Sequence, residues 1–168
     1  MSFRDEYPDL VAPEKRNKAR VLAKNCLLYD EFLLKEIEDG NISADDFENA
    51  AMVIWLHGHC HQKALVGVDK TAKVLKQLLS GSKVNVIPSG CCGMAGSFGY
   101  EKEHYETSLA IGEMVLFPAV RKAIASKGEI PTVVAAPGTS CRHQILDGTG
   151  VKAVHPIEIL YRFLKNKD

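Results

Sequence analysis

The sequence carries no net charge, since 21 basic residues offset 21 acidic ones, and no basic run is longer than two residues. Aromatic residues make up only 7% of its 168 positions. These shortages leave neither the footprint of a nucleic-acid binder nor a patch for an anionic membrane. The opening Met-Ser-Phe-Arg-Asp-Glu-Tyr-Pro-Asp lacks the apolar centre of a signal peptide, and no unbroken apolar stretch approaches a membrane span. A soluble, cytoplasmic protein is expected. The sequence also lacks a Cys-x-x-Cys pair, a Cys-x5-Arg phosphatase loop, the dinucleotide fingerprint Gly-x-Gly-x-x-Gly and a P-loop lysine. Each of those absences removes a common use for a glycine- or cysteine-rich loop.

What is present is enough apolar material, 46% of the residues, for one sizeable core. No composition break divides the chain, so a single domain over 1–168 is expected, with a helical lead-in over 1–50 and an α/β core over 51–168. Pro13-Glu14 opens a helical pattern, and Ala19, Leu22, Ala23, Cys26, Leu33 and Ile37 recur at helical spacing until Gly40, which predicts one long helix over about 13–39. Ser43 and Asp46 have the spacing of a capping box for a short helix.

Residues 51–56 are an unbroken apolar run, as suits a strand covered on both faces. A helical stripe through Thr71, Val74, Leu75 and Leu78 leads to a second strand at 84–87. A helix over about 101–125, bent near Pro118, leads to a third strand at 132–136. A short strand at 152–154 and a terminal helix from His155-Pro156 close the pattern. The alternation predicts an α/β fold: a parallel sheet of about four strands flanked by helices, with right-handed crossovers.

Four of the five cysteines fall in loops just past the carboxyl ends of these strands. The runs are His57-Gly-His-Cys-His61, Ser89-Gly-Cys-Cys-Gly93 and Gly138-Thr-Ser-Cys-Arg-His143. Parallel strands bring those loops to one sheet edge, where ligands of open α/β sheets bind. In a cytoplasmic chain, thiols in glycine-rich loops point to metal binding or catalysis more than to disulfides.

Cys60, Cys91, Cys92 and Cys141 are therefore the expected ligands of an iron–sulfur cluster of the 4Fe-4S type or of a zinc ion. The adjacent Cys91 and Cys92 favour the cluster, because neighbouring side chains diverge too far to chelate one zinc together. His57, His59, His61, Gly93, Ser140 and His143 are expected around the ligands, orienting and tuning them. An extended first loop would put its three histidines on one side, opposite Gly58 and Cys60.

Zinc would instead use Cys60, one of the vicinal pair, Cys141 and a histidine, His59 or His143, as a structural site docking on partner domains. A thiol–disulfide enzyme built on Cys91 and Cys92 is disfavoured, since an adjacent pair closes only a strained ring. Cys26, set in the first helical stripe, reads as a packing residue.

Taken together, Cys60, Cys91-Cys92-Gly93 and Cys141 resemble the cysteine-rich CCG domain of heterodisulfide reductase and of the glycolate oxidase iron–sulfur subunit. The longer runs His57–Ala64, Ser89–Glu101 and Gly138–Gly150 are closer still to the carboxyl-terminal segment of large FAD-linked D-2-hydroxyacid dehydrogenases of the D-lactate and glycolate type. That resemblance implies an electron-transfer domain of an oxidoreductase, itself without catalytic residues. It also implies a flavin domain or subunit as partner, FAD in the parent enzyme rather than in this chain, and a further electron acceptor. It makes the chain a carboxyl-terminal fragment of such an enzyme. The CCG pattern usually ends in Cys-x-x-Cys, whereas here the run is Cys141-Arg-His-Gln144, which leaves four candidate ligands in place of five.

Overall fold

The computed structural model describes residues 2–126 and 128–165. They form two units, one ending at Ile42 and the other beginning at Ser43.

The first unit is helical: α1 (Tyr7–Leu10), α2 (Arg16–Asn25) and α3 (Tyr29–Glu38). The single long helix expected over 13–39 is thus two helices behind a 3-10 turn at Pro13–Lys15. The break is local. Leu28 is extended, and its N–H donates to the Glu31 carboxylate at 3.1 Å, so Glu31 caps a new helix. Arg4 pairs with the same carboxylate. Cys26 falls in the break and is half-buried.

In the second unit Ser43 caps one 3-10 turn, Ala44–Asp46: its Oγ accepts from the Asp45 N–H at 3.2 Å, and Asp46 accepts from the Ser43 N–H at 2.9 Å. The chain continues through β1 (Val53–Leu56), α4 (Cys60–Leu65), α5 (Asp69–Leu78) and β2 (Lys83–Val86). Then come α6 (Tyr105–Met114), α7 (Leu116–Ala125), β3 (Thr132–Ala135), α8 (Thr139–Thr149) and α9 (Pro156–Phe163).

The helix expected over 101–125 is broken at Val115, three residues before the bend assigned to Pro118. Pro118 has no N–H to offer the Met114 carbonyl and its ring crowds that carbonyl, so α6 stops at Met114.

The sheet is parallel, in the order β2-β1-β3, with Val53 level with Lys83 and Thr132, and Leu56 level with Val86 and Ala135. The expected fourth strand survives as a parallel bridge of Val154 to Ala135, with Val154 N–H donating to Val134 and Ala136 N–H to Val154. It is cut short where Pro156, lacking a ladder donor, starts α9.

Because β1 is central, it needs apolar residues throughout, and Ile54 and Leu56 are fully buried. From β1 the chain goes first to β2 on one side and later to β3 on the other. This makes the carboxyl end of β1 a topological switch point, the position where open sheets leave a crevice. The ladder runs one step further, through His57 N–H to the Ala135 carbonyl and Ile87 N–H to the Leu56 carbonyl, both at 2.8 Å. All three cysteine loops therefore leave the sheet at one level.

Candidate metal centre

His57 is the first residue past β1, and it is fully buried. Its Nδ1 lies 2.7 Å from the Ser89 hydroxyl, which is also buried, in the loop after β2. Its Nε2 is buried and without a hydrogen-bond partner. One ring nitrogen of His57, Cys92 Sγ and Cys141 Sγ all lie within 4.8 Å of one another. Both cysteines belong to the apolar cluster that contains Ile87, Leu116, Phe117 and Ile145. Packing alone would account for two buried thiols, but not for a buried imidazole set beside them that favours the Cys92 thiolate.

Cys91 and Cys60 lie outside this tight group, within electrostatic reach of Cys141. Cys91 is half-buried, and its sulfur accepts from the Gly93 N–H at 3.3 Å. Gly93 has φ of 107°, and a Cβ there would come 2.1 Å from the Ser108 carbonyl, so only glycine can present that N–H. Cys60 is exposed, at the first residue of α4. The charges of Cys92, Cys60 and Cys91 all act on Cys141. Cys141 therefore has the other three cysteines within electrostatic reach, although only Cys92 shares its tight group.

The two buried thiols share a proton unequally. Cys92 is held well below the ordinary thiol value, first by the hydrogen bond from Cys141, with burial opposing it and with help from His57 and the Met94 backbone N–H. Cys141 is held well above that value by the same bond and by burial. In the metal-free state the pair is therefore one thiolate and one thiol, and the thiolate is the better ligand.

The remaining predicted residues lie on the same loops and on the helices that follow them. His59, half-buried, precedes α4; burial and then His61 lower its pKa. A Cβ on Gly138 would come 2.5 Å from the His59 ring and 2.9 Å from Cys141 Sγ, so glycine lets the third loop close against both. Because α4 starts at Cys60, the first loop is not extended through His61. That residue is exposed on the helix, its ring edge-on to His59 at 5.8 Å. His143 is exposed on α8 and shares a 3.4 Å hydrogen bond with the Tyr100 hydroxyl. Ser140 is half-buried in the first turn of α8. Gln144, in the position of the missing cysteine, is buried and donates to Ser108 O and Oγ at 3.0 and 2.9 Å.

Two residues at the site lie inside the motif runs but were not among the expected site residues. Ser89 orients His57 from 32 positions away. Lys63, on α4, donates to the carbonyls of Ser89 and Gly90. Reading 60–65 as a helix would have put Lys63 on the face of Cys60, three residues earlier.

Fold and site together define a small parallel α/β unit with a cysteine and histidine group able to hold a metal. The particular proteins it matches are redox enzymes. It is 31% identical over 169 residues to D-2-hydroxyglutarate dehydrogenase of Escherichia coli (strain K12), a match covering 98% of this chain and 15% of that protein. It is 27% identical over 163 residues to one subunit of the anaerobic glycerol-3-phosphate dehydrogenase of the same strain, covering 97% of this chain and 38% of that polypeptide. D-2-hydroxyglutarate dehydrogenase of Haemophilus influenzae is 27% identical over 172 residues, again 15% of its length. The chain thus spans well under half the length of each of these relatives. No family model matches the chain. No solved structure matches it either. Among the described residues no helix is long and apolar enough to cross a membrane.

Proposed function

We propose that this chain is the electron-transfer part of a larger flavin-linked dehydrogenase of the D-2-hydroxyacid class, built around an iron–sulfur cluster. The observation that carries the reading is the buried His57, bonded to Ser89, with one ring nitrogen within 4.8 Å of both the Cys92 and Cys141 sulfurs, and with Cys60 and Cys91 in electrostatic reach. Such a cluster, when bound, accepts and passes on single electrons, which would link a flavin partner to a further acceptor.

Cys60, Cys91, Cys92 and Cys141 are the thiolates that would hold it. The chain's own contribution is to aim N–H groups at the sulfurs, from Gly93 to Cys91 and from Met94 to Cys92. Such donors offset negative charge on thiolate ligands. His57, fixed by Ser89, either supplies a further ligand or donates to a sulfur. Similarity over nearly the full chain to D-2-hydroxyglutarate dehydrogenase supports the substrate class of the parent enzyme. Similarity to part of a glycerol-3-phosphate dehydrogenase, whose named substrate differs, supports a shared, substrate-independent role for this part.

A structural zinc site is the second reading, favoured by the compact grouping of one histidine nitrogen and two thiols within 4.8 Å. Metal and acid-labile sulfide content, with an absorption spectrum, on protein purified without oxygen separates the two. Iron matched by sulfide, with a visible absorbance that bleaches on reduction, is the expected result. Stoichiometric zinc without sulfide would overturn it.

A further inference from the structure

Lys63 is half-buried on α4, three residues past Cys60. Its ammonium donates to the Ser89 carbonyl and, at 2.6 Å, to the Gly90 carbonyl, the two residues that precede Cys91. Its stem is seated against the first loop: a Cβ on Gly58 would come 3.1 Å from Lys63 Cε and 2.8 Å from Val68 Cγ2. One side chain thus ties the first cysteine loop to the second. Burial lowers its pKa, while the charges of Cys141, Cys60, Cys91 and Cys92 all raise it. Lys63 is therefore a cation within electrostatic reach of all four cysteines, and it reaches the loops without being a ligand.

We propose that Lys63 is a positioning residue with two linked effects: it clamps the Ser89–Gly90 backbone so that Cys91 and Cys92 are presented in place, and its charge favours the more negative state of the group they hold. The second effect rests on the iron–sulfur reading above; the first does not. An ammonium can serve both ends because it has three donors on a compact head, and two of them satisfy the carbonyls. A positive charge beside a cluster stabilises its reduced form, so removing that charge lowers the midpoint potential.

The test compares Lys63→Met, which loses donors and charge, with Lys63→Arg, which keeps the charge and some donors, both in the full chain. The first readout is amide hydrogen exchange over residues 89–93 in reduced, metal-free protein. The second is iron and sulfide content and midpoint potential after anaerobic reconstitution. Lys63→Met is expected to exchange faster over 89–93 and to show a lower potential at undiminished iron content, with Lys63→Arg returning both toward wild type.

Faster exchange with an unchanged potential would overturn the proposal by leaving Lys63 a structural clamp alone. Unchanged exchange would overturn it outright. If wild-type protein takes up no iron and sulfide, the proposed function falls, and the exchange comparison with its arginine rescue still decides the clamp. Should Lys63→Met not fold, Lys63→Gln, which retains one donor group, carries the same comparison.

Discussion

Ser89 Oγ and His57 Nδ1 stand 2.7 Å apart with both residues buried, joining the end of the central strand to the loop that bears Cys91 and Cys92. The bond decides what the ring can do. If Nδ1–H donates to the serine, Nε2 keeps its lone pair for a metal; if the serine donates, Nε2 carries a proton and can only donate to a sulfur. Removing the hydroxyl in Ser89→Ala strands the buried Nδ1. A loss of about 1–3 kcal/mol in denaturant unfolding is expected, with Ser89→Thr close to wild type. Metal affinity should fall about 10- to 100-fold in the alanine variant. Wild-type stability and affinity in Ser89→Ala would show that the ring is held by packing alone.

The cysteines should divide cleanly. Cys92→Ser and Cys141→Ser remove the two thiols in the tight group, and Cys60→Ser and Cys91→Ser the two around it. All four are expected to abolish full metal loading after anaerobic reconstitution, whereas Cys26→Ser, which alters a residue in the α2–α3 break, should load like wild type. A zinc site would behave differently, because one of the vicinal pair would be dispensable for stoichiometric loading. Metal analysis of the five variants distinguishes the two patterns.

Gly93 is the backbone hinge of the second loop, with φ of 107° and the Ser108 carbonyl 2.1 Å from where a Cβ would stand. Ser108 is held in turn by Gln144, so the loop cannot yield without disturbing a buried hydrogen-bonded pair. Gly93→Ala is expected to cost about 2–4 kcal/mol, combining a disallowed backbone region with overpacking. Gly96→Ala, where φ is 71° but the space is open, should cost only the backbone part, about 1–2 kcal/mol. Equal losses in the two variants, by urea or guanidinium titration, would remove the steric part of the argument.

The sheet was readable from the sequence because its signal is local: residues 51–56 and 132–136 are apolar runs of strand length, and both appear as strands trimmed by a residue or two. The helix breaks were harder. Val115 breaks because of a proline three residues later, and Leu28 because of one carboxylate at Glu31, while helical periodicity passes through both. The cysteine loops were legible as a group from strand topology. What was not legible was depth: the burial of His57 goes with its bond to Ser89, 32 positions away, and with its grouping beside Cys92 and Cys141 from two other loops. Those are long-range contacts, and spacing along the chain does not encode them.

The unequal sharing of a proton by Cys92 and Cys141 predicts how stability depends on pH in the reduced, metal-free protein. In the unfolded chain both thiols titrate near the ordinary value of 9.0, whereas in the folded protein Cys92 lies below it and Cys141 above it. Between the folded value of Cys92 and 9.0, the unfolded state binds two protons on this pair and the folded state one, so folding releases a proton. Stability then rises with pH, by at most about 1.4 kcal/mol per unit. As pH falls through the folded value of Cys92, that gain is lost. Above 9.0 the unfolded chain sheds both protons while Cys141 keeps its own, so stability falls again. Urea midpoints under reductant from about pH 6 to about pH 10 should therefore pass through a maximum near the ordinary thiol range. Subtracting the curve of Cys92→Ser isolates the pair from carboxylates and histidines: the rising limb should disappear in that variant. A difference curve that is flat across the range would mean that both thiols stay protonated, and that Cys92 is not a standing thiolate ready for a metal.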